Sequence, residues 1–169
     1  LAPARTPAAF SAPHPMGQGL PGFVTGADHT VAVTSAGRLL AWGADGQGQC
    51  SKRPALEPSE RWAAVAAGDS HTVAVTSAGR LLAWGADGHG QCSKRPALEP
   101  GERWAAVAAG GFHTVAVTSA GRLLAWGVDG NGQCSKRPAL EPGERWAAVA
   151  AGDSHTVAVT SAGRLLAWG

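Results

Sequence analysis

Histidine and cysteine, two side chains that commonly bind zinc, recur in this sequence at a constant interval. Each lies 42 residues from the next of its kind, at His29, His71, His113 and His155 and at Cys50, Cys92 and Cys134. Zinc sites usually draw ligands from short spacings such as C-x2-C, whereas 21 residues separate Cys50 from His71. The spacing favours a structural role instead, in which each histidine bonds backbone groups that a turn leaves unpaired. We therefore expect neither a metal nor a cofactor.

Serine, threonine and histidine also recur together, which raises the possibility of nucleophilic catalysis. A catalytic triad needs a nucleophile, a base and an orienting group in unequal roles, but every copy of the repeat offers the same set, as at Ser77, Thr76 and His71. Glycine-rich stretches such as GADGQG lack the Gly-Lys-Ser/Thr of a phosphate loop. One aspartate in each stretch is too few ligands for calcium. We expect these stretches to be turns and the protein not to be an enzyme.

A basic pair follows each cysteine within the motif SKRP. Repeated along an arc, the pairs would form a basic row made of Lys52 and Arg53, Lys94 and Arg95, and Lys136 and Arg137. Glutamates follow each pair and offset its charge, and the net charge of the chain is only +2. This row is interpreted either as a solvated rim or as a polyvalent contact surface for an acidic partner. The near-neutral balance argues against nucleic-acid binding.

The 42-residue interval indicates a repeat architecture, and the pattern inside a unit indicates strands. In HTVAVTS, Val73 and Val75 share one face of a period-2 pattern. RLLAWG follows after Gly79, which can take a positive φ in a hairpin turn. WAAVAAG is a third strand, and Pro96 limits a fourth, in QCSKRPA, to an edge position. The prediction is an all-β fold, a partial β-propeller of three full repeats and half a fourth, with antiparallel blades of three to four strands.

The first 22 residues differ from the rest, since they are rich in alanine and proline and carry no acidic residue. We expect residues 1–22 to be a disordered leader or linker and residues 23–169 to hold the repeats, in units of approximately 24–65, 66–107, 108–149 and 150–169. The chain begins with Leu1 and ends within a unit, so we expect a piece of a longer protein. An unclosed arc exposes strand edges and apolar faces, which invites self-association.

Three evenly spaced cysteines do not make a disulfide framework. Reduced thiols favour a cytoplasmic or nuclear protein. No apolar run approaches the ~20 residues that a membrane-spanning helix needs, so we expect no membrane association.

The repeat AAGDSHTVAVTSAGRLLAWGADGHGQC resembles the regulator of chromosome condensation repeat. The resemblance covers residues 24–169 and rests in one copy on Gly68, His71, Gly79, Trp84, Gly85, Gly90 and Gln91. It implies a seven-bladed propeller. The chain departs from the family pattern at 92–93, where Cys-Ser replaces the usual Leu-Gly, and its repeat unit is shorter than is typical.

The resemblance also implies a choice of functions. Guanine-nucleotide exchange in the family uses an inserted β-wedge, and the constant step of 42 residues leaves no such insertion. The family's ultraviolet photoreceptor carries a tryptophan in the Gly-x-x-His stretch, which this chain lacks. The first hypothesis is a protein-interaction scaffold, serving as a regulatory or substrate-recruiting module for an unidentified protein partner. The alternatives are an exchange regulator of a small GTPase and a duplicated fragment without independent function.

Because repeated residues specify the scaffold, specificity is expected where the copies differ. The units 66–107 and 108–149 differ at four aligned positions. The predicted interaction surface contains three of these and the variable turn position of the first unit, together with the basic row: Asp69, Ser70, Gly111, Phe112, Gln47, His89 and Asn131.

Overall fold

The computed structural model describes residues 22–169, which form twelve short β-strands and no helix. The strands are β1 (Gly22–Thr25), β2 (His29–Val33), β3 (Leu39–Gly43), β4 (Trp62–Ala67), β5 (His71–Thr76), β6 (Leu81–Gly85), β7 (Trp104–Ala109), β8 (His113–Thr118), β9 (Leu123–Gly127), β10 (Trp146–Ala151), β11 (Thr156–Thr160) and β12 (Leu165–Trp168). The predicted leader lies outside the described residues except for Gly22. Residues 22–169 contain no helix that could cross a membrane.

Consecutive strands form four three-stranded antiparallel sheets, β1–β2–β3, β4–β5–β6, β7–β8–β9 and β10–β11–β12. The hairpin turn between β5 and β6 uses Gly79 at a φ of 77°, a conformation that favours glycine. The predicted all-β architecture with antiparallel blades is therefore confirmed.

The fourth strand allowed for in QCSKRPA does not form, and residues 91–97 are turn and irregular chain. The Arg95 side chain takes its place at the sheet edge, where Nη1 donates to the carbonyl of Leu81 on β6. Pro96 has no N–H to give to a strand ladder. A side chain thus satisfies an edge carbonyl that a fourth strand would have paired.

The four sheets stack face to face in chain order, and three apolar clusters fill the spaces between them. We call each of these spaces a seam. In the first seam Val31 and Leu39 of the first sheet pack against Trp84 of the second. Small alanines on both faces let the sheets approach closely. Since a blade buries its faces only against its neighbours, the stack is an open arc of repeated units.

The first strand of each sheet lies innermost, because β4 contacts β7 and β7 contacts β10. Each sheet has two ends at which loops join its strands. We call one end the loop face; it holds the Gly-x-x-His loops (68–70 and equivalents) and the Asp-Gly turns (86–91 and equivalents). The other end, the hairpin face, holds the turns at 77–80 and their equivalents. The approximate unit boundaries predicted from the sequence fall within the innermost strands β4, β7 and β10.

Candidate interaction face

Two loops of each unit lie side by side on the loop face. His71 begins β5 and is paired with Gly85, which ends β6, so the loop before His71 and the turn after Gly85 meet at the same sheet end. The N–H of Ala86 donates to the carbonyl of Ser70 at 2.8 Å, which joins the two loops directly. The strand register thus places residues far apart in sequence on one surface.

The Asp-Gly turn is held by its own side chains. Oδ1 of Asp87 accepts hydrogen bonds from the N–H groups of Cys92 at 2.8 Å and Ser93 at 3.0 Å. Burial acts to raise the pKa of Asp87, but hydrogen bonds from the Ser93 side chain and from these two N–H groups stabilise the charged carboxylate, and the net result is a lowered pKa. The aspartate therefore organises a stretch that the sequence predicted to be a turn.

The variable position of this turn leaves the backbone unchanged. The N–H groups of Gln47, His89 and Asn131 each donate at 3.0 Å to the side-chain oxygen of the buried glutamine two residues later. All three variable side chains are exposed. The same turn can therefore present a different side chain in each unit.

His89 and Phe112 come together across the second seam. Their ring centroids are 5.6 Å apart and the rings meet edge to face at 71°. Phe112 remains 40% exposed. These two aromatic side chains, neither of which recurs at the equivalent positions of the other units, thus form one patch shared by the second and third sheets.

Gly111 makes room for a neighbouring loop. A Cβ at this position would lie 2.2 Å from Oδ1 of Asp153, and the N–H of Gly111 donates to the Asp153 carbonyl at 3.0 Å. The N–H of Asp69 donates in turn to the Gly111 carbonyl at 3.3 Å. The Gly-x-x-His loops are therefore linked from sheet to sheet, and Ser70 lies half-buried within one of them.

The sequence predicted that each repeated histidine bonds backbone groups of its own turn, and this prediction is wrong. The histidines bond across the seams instead. Nε2 of His71 lies 3.1 Å from Oγ1 of Thr114 in the next sheet, and the Thr114 hydroxyl donates to the Gln91 carbonyl at 2.8 Å. Because the hydroxyl proton is already used, Nε2 of His71 is the donor. The same contacts recur for His29 with Thr72 and for His113 with Thr156. Each seam is therefore closed by a histidine–threonine–glutamine chain.

Burial keeps these imidazoles neutral. It lowers the pKa of His71 to about 3 and that of His113 to about 4, since the charged form loses its hydration. Nδ1 of His29, His71 and His113 has no hydrogen-bond partner within the described part of the chain. A Cβ on Gly68 would lie 2.4 Å from Nδ1 of His71, so this glycine admits the ring.

The predicted basic row is divided between two roles. Arg53 donates from Nη1 to the Leu39 carbonyl at 2.7 Å, and Arg95 and Arg137 make the same bond to Leu81 and Leu123. The lysines are exposed, with stems packed on the turn glycines Gly48, Gly90 and Gly132. The row therefore offers lysine ammonium groups to solvent while its arginines hold the outer strands.

The glutamates that offset this charge in the sequence form their closest ion pairs elsewhere. Glu102 bonds Arg122 on the hairpin face, with Oε2 2.7 Å from Nη2. Glu144 bonds Arg164 in the same way at 2.6 Å, and Glu60 bonds Arg80. The arginine bonds lower the pKa of Glu60 and of Glu144 to about 2.

The family model of the regulator of chromosome condensation (RCC1) repeat matches residues 23–49, 62–91, 104–133 and 146–169, more than half of the chain. The chain belongs to the RCC1 repeat family. None of the curated proteins compared with it matches in sequence.

Solved structures show the fold of these RCC1 repeats. Yeast RCC1 (Prp20), determined bound to Kap60, superposes with a TM-score of 0.68 at 21% identity, over 87% of this chain and 42% of that one. Human WBSCR16 gives 0.68 at 23% identity, over 88% and 47%. The CRINKLY WD40 ectodomain of the Arabidopsis thaliana receptor kinase ACR4 gives 0.58 at 21%, over 86% and 48%. This chain spans less than half the length of each, and it is a partial RCC1-type β-propeller.

The sequence did not reveal the role of the glutamine that ends each RCC1 repeat turn. The Gln49 carbonyl accepts from Oγ1 of Thr72 at 2.8 Å and from Nε1 of Trp84 at 2.9 Å, both in the next sheet. Its recurrence as Gln91 and Gln133 was the available signal. The constant glutamine is therefore part of the scaffold, whereas the variable residue two positions before it is part of the exposed surface.

The recurrent cysteines provide no reactive thiol. Sγ of Cys92 lies 3.3 Å from the Ala86 carbonyl, and burial raises the pKa of Cys92 to about 12 and that of Cys134 to about 11. A thiol protonated at neutral pH is a poor nucleophile and metal ligand. No group of three or more histidine, cysteine or acidic side chains within residues 22–169 could hold a metal ion.

Proposed function

We propose that this RCC1-repeat chain is a protein-interaction scaffold that docks a partner on its loop face. One observation carries the proposal. The units 66–107 and 108–149 differ at four aligned positions, and all four lie in loops at this end of the sheets: Asp69/Gly111, Ser70/Phe112, Ala86/Val128 and His89/Asn131. The hairpin face is identical between the two units. Between these two otherwise identical units the variation is confined to one exposed surface, which supports a binding role for that surface.

The His89–Phe112 patch is the proposed centre of this docking surface. A half-exposed aromatic side chain held by an edge-to-face contact offers apolar area at little conformational cost, which is typical of interface anchors. Exposed lysines, Lys94 among them, surround the outer side of the turns and suit carboxylates at the rim of a partner. The partner is accordingly a protein with an apolar anchor point and an acidic rim.

We infer that the chain serves as a regulatory or substrate-recruiting module of a longer protein in the cytoplasm or nucleus. Yeast RCC1 was solved bound to Kap60, and Prp20p was studied for binding to Gsp1p and histones. These are partners of the relatives, and they support protein binding as the kind of activity. The described cysteines are free thiols, which supports a reducing compartment. The constant 42-residue step leaves no room for a β-wedge, so we do not propose nucleotide exchange.

The test is a direct binding measurement with purified proteins. A partner captured by the wild-type chain is purified, and its affinity is compared for wild type, Phe112→Ala and Arg103→Ala. Arg103 is exposed at the hairpin end of the third sheet and is the matched control. Truncating a central aromatic anchor should weaken binding by about tenfold or more, while the control stays near wild type. Equal affinity for Phe112→Ala and wild type would contradict loop-face docking.

A further inference from the structure

The outer strand of each blade has one edge that no other strand covers. In the second sheet β6 pairs with β5 on one side and with no described strand on the other, and in the third sheet β9 pairs only with β8. We call the uncovered side the outer edge. Both sheets have a described sheet on each face, so the outer edge is a feature of the repeat.

The strand register shows which backbone groups lie on the outer edge. Just beyond β6, the N–H of Ala86 donates to the carbonyl of Ser70, so these two residues are a hydrogen-bonded pair. Bonded and non-bonded pairs alternate along an antiparallel ladder, and the non-bonded residues direct their N–H and C=O groups away from the partner strand. The residues that direct these groups outwards are Leu81, Ala83 and Gly85 on β6 and Leu123, Ala125 and Gly127 on β9.

Side chains cap the two ends of the outer edge and leave its centre open. Nη1 of Arg95 donates to the carbonyl of Leu81 at one end, and Sγ of Cys92 lies 3.3 Å from the carbonyl of Ala86 at the other. Ala83 lies between them and is half-buried. Among the residues that the structure describes, none bonds the outward N–H and C=O of Ala83. The centre of the edge is therefore free to pair.

The chain that follows an outer strand leaves room beside the edge. At the first sheet, a groove with a volume of about 620 Å3 lies between β3 and residues 50–56. Leu39 and Ala41, the equivalents of Leu81 and Ala83, line it on the side of the strand. The groove runs where a fourth strand of the blade would lie, so a short extended peptide is the shape that fits it.

The segment beside the outer edge is basic. Lys94 and Arg95 are both exposed in it. The acidic groups at the two ends of β6 are already engaged, since Asp87 accepts bonds within its own turn and Glu60 is bonded by Arg80. Two copies of this edge would therefore repel each other, whereas a strand that carries carboxylates would be attracted.

We propose that the outer edges of the blades bind an extended acidic peptide of another protein, which adds as a fourth strand. The peptide backbone pairs with Ala83 on β6 or with Ala125 on β9, and its carboxylates lie near Lys94 or Lys136. Backbone pairing supplies affinity in this mode of recognition, and the flanking charges select the partner. The outer edge is a different surface from the loop face, so the chain has two places to bind proteins.

The test uses the whole protein and a fluorescein-labelled peptide, Glu-Val-Thr-Val-Thr-Val-Glu. Two forms with two N-methyl groups each are the matched controls, since they share charge and composition. The first is methylated on the first two valines, which lie on one edge of the peptide, and the second on the central valine and the next threonine, which lie on opposite edges. Pairing needs only one free edge. The first form should bind within about threefold of the unmodified peptide, and the second at least about tenfold more weakly.

Hydrogen exchange read by mass spectrometry locates the peptide. Proteolytic fragments that cover β6 and β9 differ in mass, because the residue after the strand is Ala86 in one and Val128 in the other. The peptide should slow amide exchange in both fragments. Lys94→Glu should weaken peptide binding at the β6 fragment by about threefold or more and leave the β9 fragment unchanged, and Lys136→Glu should do the reverse. Both lysines are exposed, so each variant should keep the wild-type circular dichroism spectrum.

Four results would overturn the proposal. Absence of peptide binding up to about 1 mM excludes the site. Equal affinities for the two methylated forms show that backbone pairing is not involved. Unchanged exchange in both fragments at saturating peptide places the peptide elsewhere. Exchange that slows with protein concentration alone shows that a second copy covers the edge. Phe112→Ala changes the loop face and leaves these readings unaffected, so this proposal and loop-face docking fail independently.

Discussion

At the residue scale, the fit between blades depends on single hydrogen bonds in places that water does not reach. His71, Thr114 and Gln91 form one such chain, in which the hydroxyl accepts from the imidazole and donates to the carbonyl. All three side chains are fully buried. Removing a partner from a buried group leaves that group unsatisfied, which costs more than the bond itself contributes to stability. The chain therefore makes each sheet specific for its neighbour.

Thr114→Val tests this chain. The substitution keeps the shape of the side chain but leaves the His71 Nε2–H without an acceptor, while the Gln91 carbonyl keeps its bond from Trp126 at 2.9 Å. We expect a loss of about 1–3 kcal/mol in the free energy of unfolding. Thr30→Val is the matched control, because no sheet precedes Thr30 in the described chain, and it should change stability little. Urea unfolding of the two variants and of wild type measures both losses, and equal losses would contradict the seam role.

At the element scale, hairpin turns and innermost strands connect neighbouring blades. The turn at Gly121 has a φ of 79°, and its carbonyl accepts from the N–H of Trp146 in the next sheet at 3.0 Å. The stem of Arg145 covers the turn, so that a Cβ on Gly121 would lie 2.6 Å from the Arg145 Cβ. The glycine is therefore required for two reasons: the turn needs its positive φ, and the Arg145 stem of the next sheet leaves no room for a Cβ.

Gly121→Ala and Gly163→Ala separate these two requirements. Gly163 has a similar φ of 81° but nothing within 4 Å of an added Cβ. Gly163→Ala should cost only the left-handed backbone strain, about 1–2 kcal/mol. Gly121→Ala should cost at least about 1 kcal/mol more, because Arg145 must move. Thermal unfolding of the two variants checks the difference, and identical losses would show that the stem does not constrain the turn.

At the scale of the whole molecule, the seams make stability depend on pH. The pKa values of His71 and His113 are lowered from 6.5 to about 3 and about 4. Between pH 6.5 and these lowered pKa values, the unfolded chain binds protons that the folded chain does not. The free energy of unfolding therefore falls as pH drops below about 6.5. Glu60 and Glu144, lowered from 4.5 to about 2, act in the same direction at lower pH. Their contribution is present above pH 4.5 and is lost as pH falls towards 2.

The unfolding midpoint in urea should therefore be constant between pH 7 and about pH 8, below the range in which the cysteines of the unfolded chain ionise, and fall steadily from pH 6 to pH 4. His71→Gln keeps an N–H that can donate to Thr114 but removes one titrating group. We expect this variant to lose less stability than wild type over the same pH interval, whatever its stability at pH 7.5. Measurements at one protein concentration check this. A wild-type midpoint that is unchanged at pH 4 would contradict neutral buried histidines.

Local pattern was sufficient for the repeat period, the strands and the hairpin turn. Alternation of Val73 and Val75 and the position of Gly79 depend on neighbours in the chain, which the sequence states directly. The turn position occupied by His89 was also recognisable as exposed, since its equivalents are all polar. The partner of His71 was not predictable, because Thr114 lies in another repeat and the intervening distance depends on how sheets stack.

The sequence by itself determined the RCC1 repeat, the all-β fold and the positions at which copies differ. Only the tertiary structure decided that those positions share one face, and that His89 meets Phe112 across a seam. It also decided that Trp42 is exposed while Trp84 is buried, although the letters around them are the same. The physical reason is that strand formation follows from local pattern, whereas burial depends on which surface lies opposite, and identical repeats cannot encode the presence or absence of a neighbour.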